Sequence, residues 1–152
     1  MTDTGTGSNV RYCTRADVHV DRCASAWLIR RYPDPKAVFS FVQDQVPLPS
    51  TVPFDMHGVE WGHVGSRCTF ETLLHLHHLA DPVLHQMGRI IHGADIIADA
   101  DETLESAGMD LLLRGLRLVS QSDDGTLERG CLVMDALYAA LHADPGSWGP
   151  RR

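Results

Sequence analysis

One lysine, Lys36, stands in 152 residues against 20 acidic side chains, and the formal charge is −7. So few clustered cations argue against a chain that binds nucleic acid by displacing counterions from a phosphate backbone. No stretch approaches the roughly 18 apolar residues of a membrane span. Residues 1–9 are rich in Gly, Thr and Ser and lack the basic segment and apolar core of a signal peptide. The expectation is a cytoplasmic protein with no membrane partner. Cys13, Cys23, Cys68 and Cys131 form no Cys-x-x-Cys pair, so they read as free thiols rather than a disulfide framework or a thiolate zinc site. No Walker-type or dinucleotide-type glycine loop occurs, and Ser25 sits in no nucleophile elbow, which leaves nucleotide-dependent chemistry and serine hydrolysis without support.

What is present suffices for a folded core. Hydrophobic residues make up 43% of the chain and charged residues 22%, ordinary globular proportions, and this length fits one domain. The pattern divides into a disordered start over 1–9, one domain over 10–143 and a flexible tail over 144–152. Val10 to Thr14 is β-prone, and Asp21 to Tyr32 reads as a helix with an acidic start, a basic end and Pro33 as its stop. Ala37 to Val42 is a second strand, and Pro47, Pro49 and Pro53 mark an irregular connection. Thr69 is the expected cap of a helix running toward Leu79. Asp81-Pro82 opens another helix to about Ala98. Helices over Thr103–Ser120 and Thr126–His142, separated by Ser122-Asp123-Asp124-Gly125, complete an α+β fold: a small N-terminal sheet packed on a predominantly helical C-terminal half.

The polar residues most able to carry chemistry begin with Glu60-Trp61-Gly62-His63, which follows Pro53-Phe54-Asp55. A carboxylate and an imidazole three residues apart suit Zn, Fe or Mn. Gly58, Gly62 and Gly65 argue against a helix there, so convergence would come from a turn or twisted strand. Projection at 100° per residue puts Asp95 on the border of the apolar stripe of the helix from Asp81, and His92 nearly opposite that stripe. In the first helix Asp21, Ser25 and, less directly, Arg22 share a side with Leu28, Ile29 and Tyr32. Buried Asp or Arg needs a partner: a cap, an internal ion pair or a bound ligand. In the helix from Thr103, Glu105 falls on the face of Leu104, Leu111, Leu112, Gly115, Leu118 and Val119, which reads as the inner one. His75, His77, His78 and His85 read as solvated surface histidines, and Asp135 as solvated.

Longer motifs add a resemblance. Asp21-Arg22-Cys23-Ala24-Ser25-Ala26-Trp27-Leu28-Ile29-Arg30-Arg31, Pro53-Phe54-Asp55, Gly58-Val59-Glu60, His63, Cys68 and Phe70 occur in order. Gly93-Ala94-Asp95, Glu105-Ser106-Ala107-Gly108, Arg114-Gly115-Leu116 and Asp135-Ala136-Leu137-Tyr138 follow. From roughly Tyr12 to Leu141 the chain resembles the C-terminal domain of the chromate-resistance protein ChrB. The resemblance implies a role in bacterial chromate resistance, where full-length ChrB proteins are associated with chromate-responsive regulation of an efflux operon. Ser25-Ala26 stands where the family often shows Cys-Pro, which disfavours thiol-based chromate reduction.

The functional expectation is a metal-binding domain in which Glu60, His63 and Asp95 hold a divalent ion of Mn, Fe or Zn and leave positions open for water or a small oxyanion. Arg22 would neutralise that anion, with Asp21 orienting it. The alternative is a mononuclear metalloenzyme on the same residues, with Glu105 or Asp21 as general base. A second alternative is a structural or interaction domain whose inward polar groups pair with one another. Expected partners are a small anion or other small molecule, with a homo-oligomer left open.

Overall fold

The computed structural model describes residues 9–99 and 103–143; the expected tail at 144–152 and all but Asn9 of the expected loose start lie outside the described residues. Strand β1 (Arg11–Arg15) is the centre of a three-stranded sheet of order β2-β1-β3. Its neighbours β2 (Val38–Val42) and β3 (Val52–Pro53) both run parallel to it, with Tyr12 opposite Phe39 on one side and Val52 on the other. Parallel neighbours need a crossover, and helix α1 (Val20–Arg31) supplies the one between β1 and β2. Pro53, which cannot donate to a ladder, is accommodated on an edge strand. Beyond it the Phe54 N–H donates to the Cys13 carbonyl, so the chain leaves the sheet in a fixed direction toward Asp55.

Four helices complete the fold: α2 (Thr69–Leu76), α3 (Pro82–Asp95), α4 (Leu104–Val119) and α5 (Asp123–His142), with a short 3-10 turn at Ile97–Asp99. Helix α1 packs against all four. It is buried nearly all round, from Val20 and Asp21 through Cys23 to Ile29, which is why a single apolar face is indistinct in its sequence. Small residues let neighbours approach it: at Gly130 of α5 a Cβ would collide with the Cys23 sulfur. Where α1 surfaces, the Arg31 guanidinium lies 4.2 Å from the Tyr138 ring centroid and 5.2 Å from that of Trp27. The Trp27 indole N–H donates to Asp135, an exposed residue that thereby ties α5 to α1.

Several sequence expectations change in the folded chain. Cys68, not Thr69, is the N-cap of α2, and Glu71 closes a capping box by accepting from the Cys68 N–H. Ser122-Asp123-Asp124-Gly125 does not separate α4 from α5: Ser122 caps α5 by accepting from the Gly125 N–H, and the two aspartates occupy the favourable first turn. His92 is buried, because α2 and the 3-10 turn cover the second side of α3; its Nδ1 meets Glu71 and its Nε2 meets Asp99, each at 2.7 Å. Helix α4 is reversed relative to expectation. Its buried residues are Ser106, Met109 and Leu113, whereas Leu104, Leu111, Leu112, Leu118 and Val119 are exposed. Glu105 is exposed with them, so it does not point into the interior. The α3–α4 crossing is close, since a Cβ at Gly93 would collide with the Ser106 hydroxyl, which donates to the Ile90 carbonyl.

Candidate metal centre

Asp21 anchors the site. It is 1% exposed, and its two oxygens accept from the N–H groups of Thr69 at 2.8 Å and Phe70 at 2.9 Å. A carboxylate on α1 thus serves the orphan donors at the start of α2, where the helix dipole favours negative charge. Ser25, one turn on, donates to the same carboxylate at 3.3 Å. The inward side of α1 is therefore committed to a tertiary helix cap.

Asp55 arrives from the opposite direction, at the end of the short β3 extension, with φ of 47°, in the left-handed region that few side chains other than Asp and Asn tolerate. Thr69 Oγ1 donates to it at 2.7 Å. Arg22 Nε lies 3.2 Å from the other Asp55 oxygen, out of line for a hydrogen bond, so that contact is one of charge. The terminal nitrogens of Arg22 donate to the carbonyls of Ala16, Asp17 and Asp55. This guanidinium braces a loop and does not present an open fork to an anion. Burial, and then the neighbouring Asp21 charge, push the Asp55 carboxyl up to about 6 despite Arg22.

His63 closes the group from the turn-rich segment after β3. Its Nε2 lies 3.1 Å from Asp21 Oδ2, 3.3 Å from Asp95 Oδ2 and 3.7 Å from Asp55 Oδ1. Hydrogen bonding to Asp21 and to Asp95 pushes its pKa up to about 10, although its side chain is 46% exposed. A ring nitrogen carries one proton, and it cannot satisfy three carboxylates at once. With Arg22 and a protonated His63 counted against three ionised carboxylates, one negative charge is left over.

The structure thus brings four of the expected site residues into one neighbourhood: Asp21, Arg22, His63 and Asp95. Glu60 is exposed, and the ion pairs of His63 go to Asp21, Asp55 and Asp95, not to Glu60. Glu105 is exposed on α4. Asp55 is the residue that sequence reasoning passed over; its signal was the Pro53-Phe54-Asp55 motif, read only as an introduction to Glu60. Asp21, Asp55 and His63 each offer a donor atom within 4.8 Å of the others, and Cys68, Glu71 and His92 form a second such group.

Two openings flank the centre. A cavity of about 290 Å³ is lined by Gln45, Asp55, Met56, His57, Gly58 and His63. Another, of about 410 Å³, is lined by Asp95 with residues that include His19, Asp110 and Arg114. Asp55 and His63 border the first opening and Asp95 the second, while Asp21 lines neither.

The family model described as the C-terminal domain of ChrB matches residues 12–141. Protein ChrB of Cupriavidus metallidurans strain CH34 is 36% identical over 130 residues, covering 84% of this chain and 40% of that protein, so the chain spans less than half the length of this curated relative. No solved structure matches. Among the described residues no helix is long and apolar enough to cross a membrane. The matched segment runs from β1 to the last turns of α5 and contains Asp21, Asp55, His63 and Asp95, and the chain belongs to the ChrB C-terminal domain family.

Proposed function

We propose that this domain binds a divalent cation through His63 Nε2 and the carboxylates of Asp21 and Asp55, with Asp95 as a further ligand, and that it does so in a cellular response to chromate or a related oxyanion. The observation that carries the reading is the convergence of three carboxylates on one imidazole nitrogen. Ligands at 2.0–2.2 Å from an ion are about 3.3–3.6 Å apart in tetrahedral and about 2.8–3.1 Å apart in octahedral geometry, and Asp21, Asp95 and Asp55 lie 3.1, 3.3 and 3.7 Å from His63 Nε2. The residual negative charge and the mixed N/O donors suit Mn, Fe or Zn. Asp21 would be a ligand whose orientation the α2 amides fix, and Asp55 one held by Thr69 and Arg22, the outer support that tuned metal sites have. The chromate setting rests on the family resemblance, and the oxyanion would meet the cation rather than Arg22, whose terminal nitrogens already donate to three backbone carbonyls.

Elemental analysis of untagged protein tests this. Wild type is expected to retain or take up close to one equivalent of Mn, Fe or Zn, and His63→Ala and Asp55→Asn to lose it; equal, negligible metal in all three would remove the reading. With the metal-loaded protein, a chromate titration followed by thermal shift, beside superoxide and peroxide consumption assays, separates a sensing role from turnover.

A further inference from the structure

The outer face of α4 has no partner among the described residues. Leu104, Leu111, Leu112, Leu118 and Val119 are 97, 71, 59, 87 and 69% exposed. They share one side of the helix with Gly108 and Gly115, whose added Cβ atoms would meet nothing within 4 Å. Glycine in a helix interior costs stability, and these two gain no intramolecular contact in return. They do allow a second helix to come close. Of the flanking charges, Arg114 is turned onto Asp110 and Arg117 toward Asp17, while Glu105 stays exposed on the same side as the leucines.

The order of these residues selects the occupant. Read from either end, the face presents a branched aliphatic (Leu104 or Val119), a glycine (Gly108 or Gly115), then the leucine pair Leu111 and Leu112; the series breaks at Leu118, whose matching position is Glu105. A surface that reads nearly the same in reverse suits a two-fold axis between antiparallel copies, the commonest symmetry of homo-oligomers, with Glu105 of each copy at the level of Leu118 of the other. Its size agrees. Five largely exposed aliphatic side chains offer on the order of 500–700 Å² per copy, at the upper end of the largest apolar patch a typical monomer exposes and approaching the ~800 Å² per partner of a stable interface.

We infer that this chain forms a homodimer through antiparallel α4–α4 packing, with the two-fold axis between Leu111 and Leu112 and Gly108 of each copy opposite Gly115 of the other. Neither the cation nor its ligands take part.

Sedimentation velocity over a dilution series of the 152-residue chain tests this. Wild type is expected to be dimeric at tens of micromolar. Leu111→Glu is expected to be monomeric with an unchanged circular dichroism spectrum, since residue 111 is exposed in the single chain. Gly115→Leu, which favours the helix but fills the close approach, is expected to weaken the dimer at least about tenfold. Under mild oxidation the double variant Leu104→Cys/Val119→Cys should form intermolecular disulfides, and either single variant should not. A monomeric wild type at these concentrations overturns the inference, whether the face is bare or serves some other partner. So does a dimer that survives Leu111→Glu, or crosslinking by Leu104→Cys alone.

Discussion

Asp21 shows how one side chain can carry both fold and site. Its oxygens satisfy two amides at the start of α2 while one of them faces His63. Asp21→Ala leaves two buried donors without an acceptor, and each such loss costs about 1–3 kcal/mol; a large fall in Tm is expected by thermal unfolding. Asp21→Asn keeps a carbonyl acceptor of similar shape. It is expected to fold with a smaller loss while metal content, read by elemental analysis, still disappears. Much of this was legible: a polar residue on the inward side of α1 demands a partner, and the sequence admitted a cap or an ion pair. That the cap serves a helix 48 residues on was not legible, because a side chain-to-amide contact between elements leaves no periodic trace. Asp55 was hidden for the same reason, its role depending on where a two-residue edge strand points.

At the scale of elements, the α3–α4 crossing sets where Asp95 lies. Gly93 sits two residues before it, and a methyl group there would strike Ser106, itself bonded to the Ile90 carbonyl and to Thr103. Gly93→Ala should force the helices apart at a cost of about 1–3 kcal/mol, seen as a lowered urea midpoint, and should weaken metal binding by drawing Asp95 from His63. Gly93→Ala with an unchanged midpoint would mean that the crossing yields freely. Helix starts were mostly readable, as Asp81-Pro82 demonstrates by capping and opening α3. The buried side of α4 was not, because that helix carries leucines on more than one side and projection follows the wider stripe, which is the exposed one.

For the whole molecule, pH links the centre to stability. His63 is raised in the fold from 6.5 to about 10. Its imidazolium therefore stabilises the metal-free protein fully below pH 6.5, and that contribution is lost as pH rises through about 10. Half-exposure of the ring reduces its size. Asp55, raised from 3.8 to about 6, acts in the same direction at lower pH: ionising it in the fold costs stability as pH climbs through that interval. Metal-free protein should thus lose Tm from pH 6.5 to 10. A cation competes with the His63 proton, so metal affinity should rise across that range, with close to one proton released per ion in calorimetry using buffers of different ionisation enthalpy. An affinity independent of pH would show that His63 is not a ligand.

Composition, capping signals and periodicity, all local in the chain, determined the α+β class, the order of elements and the absence of long apolar helices, while ordered motifs such as Pro53-Phe54-Asp55 and Gly93-Ala94-Asp95 carried the resemblance to the family. Local signals act over three or four residues, the reach of a turn of helix or one step of a strand pair, and those features need no more. The tertiary structure alone decided which carboxylates meet His63, which side of α4 stays bare and whether Arg22 is free, because each depends on side chains dozens of residues apart. Such meetings are set by how the helices pack around α1, a property of side-chain volumes filling one core together.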